Sequence, residues 1–347
     1  MIPFPYIDLH SDTITALCYP FENLCRNHRM INIDRMRRGG TRLQCFAAFI
    51  PTGQYPAPIR DFLCWNTFLR IARKKDRLLL KHKPDLLPVL SAQDLSLLFP
   101  DIALSEKHTQ HKIGLLFTLE DSGVFGTDIT KVLAAYNCGI RIATLTWNHE
   151  NTLAYPCSDN PAIMQHGLKH FGFAVIEEMN RLGILIDVSH LSDAGFLDVA
   201  AHSKVPFIAS HSNSRFVTRH PRNLTDEMIR ILADKGGVMG LNLAPDFLKE
   251  GNRQQESNIS DMVAHICHIR DIAGSEVLAI GSDFDGIHGL LQIHGPQDMP
   301  LLYEALHTAG LTHTELENMW QHNACRILKD VLHNTHIRRT NDFIGTD

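Results

Sequence analysis

The feature that most limits what this chain can fold into is a recurrence of short, almost wholly apolar runs spaced by longer stretches of helical character. Eight such runs stand out: Tyr6–Asp12, Arg42–Ile50, Ile113–Glu120, Gly139–Trp147, Gly183–His190, Val205–His211, Gly237–Leu243 and Val277–Asp283. Near-continuous hydrophobicity with many β-branched residues marks strands covered on both faces, as in parallel sheets. Amphipathic stretches at Ala162–Arg181, Asn223–Leu232, Ile259–Ile272 and His313–Leu332 predict crossover helices, with Gly183 placed to end the first. Eight strands alternating with helices over 347 residues predict an α/β fold, a (β/α)8 TIM-like barrel with additional helices and loops. An open doubly wound sheet would ordinarily hold its ligand through a glycine-rich turn, and no GxGxxG follows any of these runs. The stretches after the first two runs are long and must carry extra helices or loops. One catalytic domain over residues 1–333 is expected, followed by a polar C-terminal tail over 334–347.

Composition narrows the partners. With 44% hydrophobic residues, 20% charged residues and a formal net charge of −5, the chain reads as a soluble globular protein without a nucleic-acid footprint. The basic clusters Arg35, Arg37, Arg38 and Arg73, Lys74, Lys75, Arg77 read as solvated helix faces. No run approaches the roughly 18 apolar residues of a membrane span, and MIPFPYIDLHSD lacks the basic and apolar regions of a signal peptide. A cytoplasmic location is therefore expected. The eight cysteines are scattered without a CxxC pair, which suggests reduced thiols rather than a disulfide framework.

Five of the eight runs end in a residue that can bind a metal or move a proton: His10-Ser11-Asp12, Glu120, His190, His211 and Asp283. In a parallel barrel all these ends meet at one mouth, where catalytic groups of such barrels lie. A period of two along the first strand would put His10 and Asp12 on one side, able to grip a single ion. Neutral imidazole and carboxylate suit Zn²⁺, and Glu120 could bridge two ions. A lone histidine or carboxylate at a strand end is usually a capping or hydrogen-bonding group; the metal reading rests on five ends agreeing. The remaining histidines, among 21, carry no such agreement. His166 and His170 are spaced as on one helix face, but Gly167 stands where a zinc protease needs its glutamate, and His265 with His268 is a similar coincidence.

Taken in order, IDLHSDT, FTLEDS, LIDVSH, ASHSNSR and GSDFDG resemble the membrane (renal) dipeptidase family of zinc metallopeptidases, over residues 6 to about 330. The resemblance implies a (β/α)8 barrel with two Zn²⁺, His10 and Asp12 binding one ion, His190 and His211 the other, and Glu120 bridging together with a water or hydroxide. It implies proton transfer by Asp283, and capture of the substrate carboxylate by Arg222 in HPRNLTD. It also implies dipeptide substrates, often with a C-terminal D-residue, and a homodimer. One departure stands in TLTWNHEN: Trp147 occupies the place of a substrate-polarising histidine in mammalian members. If the fourth strand continues that far, Leu145, Trp147 and His149 share a face. Trp147 would then shape the substrate pocket alone, or His149 would reach back to polarise the carbonyl; otherwise His149 is an exposed loop residue.

The chemistry these residues imply is hydrolysis. A water shared by two ions ionises near neutral pH and attacks the peptide carbonyl, while Asp283 carries its proton to the leaving amine. The planar fork of Arg222 would confine activity to very short peptides, unless it is a loop salt bridge. Two alternatives remain at this level. Another amidohydrolase-like metal hydrolase (lactonase, cyclic amidase or deaminase) would usually carry HxH in place of His10-Ser11-Asp12 and a lysine on the fourth strand. A non-catalytic metal-binding barrel would be expected to show gaps in its ligand set.

Overall fold

The computed structural model describes residues 4–18, 23–99, 112–252 and 254–332, so the tail at 334–347 lies outside the described residues. Eight strands form the barrel: β1 Tyr6–Asp8, β2 Thr41–Phe49, β3 Ile113–Glu120, β4 Ile140–Thr144, β5 Leu185–Asp187, β6 Ile208–Ala209, β7 Val238–Leu241 and β8 Leu278–Ile280. Each pairs in parallel with the next, and Asp8 pairs with Ile280 to close β1 onto β8. The long connection after β2 carries the 22-residue helix Arg60–Lys81, the short strand Leu86–Pro88 beside the start of β3, and the helix Ala92–Leu98.

Period-two alternation divides the apolar side chains into two cores. Leu115, Phe117 and Leu119 of β3 face outward to the helices, in one body with Tyr6, Phe46 and Ile280. Leu116 faces inward with Ile7, Leu43, Ile142 and the first residues of β5, β6 and β7, where Ile327 and Leu328 of the helix Asn323–Val331 plug the barrel from below. Two further steps along β3 from Leu116 comes Glu120, which the same alternation delivers to the inner face at the opposite end.

The regular strands are shorter than hydropathy predicts. Only β3 runs to its candidate donor, Glu120; β1 stops two residues before His10, β5 three before His190, β6 two before His211 and β8 three before Asp283. The cause is polar. Asp8 at the end of β1 accepts from His10 N, Ser282 N and Ser282 Oγ, and Asp187 at the end of β5 accepts from Ser189 N, Ser210 N and Ser210 Oγ. These carboxylates take over amides that a longer ladder would use. β4 ends at Thr144, so Trp147 and His149 sit on a bend and do not share a strand face.

The helix expected over Ala162–Arg181 is also two pieces, Pro161–Met164 and His170–Leu182. Asp198 Oδ2 accepts from Leu168 N at 2.8 Å and lies 2.0 Å from where a Cβ on Gly167 would sit, so the intervening chain is drawn onto the next helix. Gly183 does end the second piece, in the left-handed conformation at φ 75°. The helical stretch from His313 continues through a π-turn at Asn318–His322. All eight cysteines are free, and among the described residues no helix is long and apolar enough to cross a membrane.

Candidate metal centre

At the mouth of the barrel, His10, Asp12, Glu120, His190, His211 and Asp283 converge. Their donor atoms form three overlapping groups, each within 4.8 Å: His10, Asp12 and Glu120; Glu120, His190 and His211; His10, His211 and Asp283. Glu120 stands at the middle. Its Oε2 is 3.4 Å from His10 Nε2, and its Oε1 is 3.1 Å from His190 Nε2 and 3.8 Å from His211 Nε2. His10 Nε2 lies 4.0 Å from Asp12 Oδ1 and 3.9 Å from Asp283 Oδ1. Glu120 and the three histidines are all under a tenth exposed.

Backbone strain gathers at the same place. His190 at φ 68°, Asp283 at φ 61° and Asp121, next to Glu120, at φ 73° adopt the left-handed region that side-chain-bearing residues rarely enter. The turns at His190 and Asp283 carry two of the clustered donors, while the Asp121 carboxylate accepts from Thr52, Gly123 and Asn151. Gly286 makes the room: a Cβ there would lie 2.4 Å from Asp283 Oδ1 and 2.5 Å from Asp12 Oδ2.

The donor set fits divalent cations on two observations. First, His10 Nε2, Asp12 Oδ1 and Glu120 Oε2 are buried without a hydrogen-bond partner, although they face one another. Buried polar atoms are normally satisfied, and three orphans around one point are what a cation would satisfy. Second, the outer bonds of the other two histidines fix their tautomers. His190 Nδ1 meets Asn148 Oδ1 at 2.9 Å, an acceptor, so the proton sits on Nδ1. His211 Nδ1 meets Ser210 Oγ at 2.7 Å, and that hydroxyl already donates to Asp187, so His211 also carries its proton on Nδ1. The two Nε2 lone pairs then face each other at 3.0 Å beside a carboxylate.

Protein groups alone strain to balance this charge. Burial, the largest effect, pulls the His10 imidazole down, but Glu120, Asp283 and Asp12 together raise it to about 10. Burial would push Glu120 up, yet His10 and His190 bring it far below the usual carboxylate range. Burial first, and then the Arg222 charge, lowers His190 to about 4; burial, His10 and Arg222 lower His211 as well. Burial raises Asp283 to about 6, aided by Glu120 and opposed by His10 and Arg222, while Asn242 Nδ2 donates to its Oδ2 at 3.1 Å.

Arg222 lies beside the cluster, 3% exposed, donating to Ser212 Oγ at 2.8 Å and His211 O at 2.9 Å. Its Nε is buried without a partner, and its guanidinium carbon stands 5.6 Å from the Phe247 ring. Trp147 is half-buried against Phe49 and His190, at centroid distances of 4.9 and 6.4 Å, and the exposed His149 lies against Trp147 at 5.7 Å. The other histidine pairs stay apart from the cluster: His265 is a core residue bonded to Ser214 N, His268 pairs with Asp226, and His166 packs on Tyr155. A cavity of about 780 Å³ between the loops bearing Met164, Arg215 and His220 includes none of the donors. Hydropathy gave no sign of Asn148, Asp187, Ser210, Ser212 or Asn242; the hydroxyls flanking His211 in ASHSNSR are the signal that could have found two of them.

A parallel barrel with imidazoles and carboxylates gathered at its C-terminal mouth defines the class of metal-dependent hydrolase barrels. The model of the membrane dipeptidase family, peptidase family M19, matches residues 1–341, and the chain belongs to that family. It is thereby a hydrolase acting on peptide bonds. An uncharacterised dipeptidase of Schizosaccharomyces pombe is 30% identical over 320 residues, which cover 90% of this chain and 74% of that one. Dipeptidase 3 of Mus musculus is 29% identical over 351 residues, 95% of this chain and 65% of its own length. Two solved metallopeptidase folds superpose closely. Dipeptidase AC has a TM-score of 0.83 at 23% identity, covering 95% of this chain and 99% of its own. A Rhodobacter sphaeroides metallopeptidase has 0.81 at 22%, covering 94% and 99%.

Proposed function

We propose that the chain is a zinc dipeptidase with two Zn²⁺, one held by His10 and Asp12, the other by His190 and His211, with Glu120 between them. The observation that carries this reading is the set of buried, unpartnered donors around Glu120, an arrangement that costs stability unless cations complete it. Bound zinc supplies carbonyl polarisation and a water that ionises near neutral pH.

The residues around the ions have separate tasks. Asp283, raised toward neutrality by burial and held by Asn242, takes the proton of the attacking water and delivers it to the leaving nitrogen. Arg222 directs its unpartnered Nε–H at the carboxylate of the substrate, which limits substrates to dipeptides. Trp147 walls the pocket beside His190. The Rhodobacter sphaeroides relative is described with a phosphinate mimic of L-Ala-D-Ala, which supports dipeptides with a C-terminal D-residue as substrates here.

Elemental analysis should find close to two zinc ions per chain, and a dipeptide panel should show hydrolysis that chelation abolishes. Glu120→Gln should lower both zinc content and turnover. Full turnover by a metal-free preparation would overturn the assignment.

A further inference from the structure

The two imidazoles beside Glu120 Oε1 are backed in different ways. Behind His190 stands Asn148, an exposed loop amide. Behind His211 the chain of contacts is sealed: Ser210 Oγ donates to Asp187 Oδ2 at 2.5 Å and lies 2.7 Å from His211 Nδ1, and none of the three residues is more than 1% exposed. A hydroxyl has one proton, and a carboxylate can only accept. Ser210 therefore gives its proton to Asp187 and must accept from His211 Nδ1–H. The hydroxyl is held in place, because Asp187 Oδ1 also accepts from Ser210 N at 2.9 Å. The Ser210 carbonyl, in turn, sits 1.9 and 1.8 Å from where Cβ atoms of Gly240 and Gly281 would fall, so no bulkier neighbour could leave it there.

Asp8 and Ser282 form the same strand-end clamp, with bonds of 2.9 Å from Ser282 N and 2.6 Å from Ser282 Oγ, but there the next residue is Asp283 and no imidazole joins. Clamping two strands does not require the contact to Nδ1. We propose that Asp187 and Ser210 are positioning residues, a buried carboxylate–hydroxyl–imidazole relay that fixes His211 as the Nδ1–H tautomer and strengthens its Nε2 as a metal donor. The donor role rests on the metal-centre reading; the tautomer does not.

Asp187→Asn tests the relay by reversing it. Asp187 Oδ1 accepts from Ser189 N and Ser210 N, so the asparagine oxygen keeps that position and its amide faces Ser210 Oγ. The amide donates, the hydroxyl turns to His211 Nδ1, and the imidazole proton moves to Nε2, where it blocks a metal. Nitrogen NMR of the metal-free protein should show His211 as Nδ1–H in the parent and as Nε2–H in Asp187→Asn. Zinc affinity at one site, read by competition with a chromophoric chelator, should fall about 10–100-fold, the usual cost of losing such an outer partner. Ser210→Ala leaves the imidazole free to choose and should cost less, with mixed tautomers.

A merely structural clamp predicts the opposite ranking, since asparagine keeps the shape and alanine removes a bond. An unchanged tautomer in Asp187→Asn, or a greater zinc loss in Ser210→Ala, would overturn the relay. Should Asp187→Asn not fold, Ser210→Ala decides: pure Nδ1–H with parental affinity overturns it. A parent that binds no zinc but shows the tautomer exchange would sink the metal centre and leave the relay standing.

Discussion

Two arginines on one loop are held in opposite ways. Arg215 donates to both Asp193 oxygens at 2.7 Å, an ion pair that fastens the loop after β6 to the helix after β5. Arg222 is more deeply buried and, among the described residues, its guanidinium is hydrogen-bonded only to Ser212 Oγ and His211 O. A buried cation without a carboxylate is costly unless an anion arrives. Arg222→Ala should therefore remove the preference for a free C-terminal carboxylate, at about 2–5 kcal/mol in kcat/KM, the scale of a truncated buried charge pair. The check is to compare a dipeptide with its amide; equal turnover of both by the parent would take Arg222 out of the site. His265 makes a different prediction. Its Nδ1 accepts from Ser214 N at 3.1 Å, and its Nε2 donates to Leu248 O at 3.1 Å, so only the neutral ring fits. Burial lowers it to about 4, against roughly 6.5 in the unfolded chain. The unfolded chain thus binds the extra proton first as pH falls. Stability from this group is complete above about pH 6.5 and is lost between there and 4, up to about 3 kcal/mol. Urea unfolding across that window should give a shallower slope for His265→Gln, by up to about one proton; identical slopes would contradict the assignment.

At the scale of elements, the turn after β4 shows where sequence reading stops. The strands themselves were legible because burial on both faces leaves a long apolar run, and the donors were legible because several runs ended in histidine or carboxylate. What hydropathy does not register is the point at which a strand gives up its ladder. Thr144 ends β4 because its Oγ1 receives Asp121 N and its carbonyl receives Ser122 Oγ, bonds spanning more than 20 residues of sequence. The chain then turns, and Asn148, a residue without periodicity to mark it, reaches His190. The same blindness hides the Asp187–Ser210 contact and the break around Gly167, both made by polar groups distant along the chain. Trp147 is wedged between Phe49 and His190, while His149 lies outside it, exposed and packed so closely on Gly53 that a Cβ there would be 2.4 Å from its own. His149 thus braces the turn. His149→Ala should leave kcat on a good dipeptide within about threefold of the parent. A fall of about 10²-fold, the loss of a transition-state donor, would place His149 at the carbonyl instead.

At the scale of the whole molecule, the proposed metal centre would be a cross-link. Its donors come from the ends of β1, β3, β5 and β6, so ions held there would tie strands on different sides of the barrel mouth. The strained turns at His190 and Asp283 and the unpartnered donors weigh against the fold when no cation balances them. An ion that binds the folded chain and not the unfolded one stabilises by about 2.7 kcal/mol when its free concentration is 100 times Kd. With an unfolding entropy of roughly 2 cal/mol/K for each residue, a barrel of this size should gain about 4 °C in Tm for each occupied site. Thermal unfolding with excess zinc and after chelation should therefore differ by several degrees, and the difference should grow with the logarithm of free zinc. Glu120→Gln, which weakens the donor shared by both sites, should start from a similar metal-free Tm and gain less. A Tm that ignores zinc in the parent would mean that no ion is bound where these strands meet, and the dinuclear assignment would fall with it.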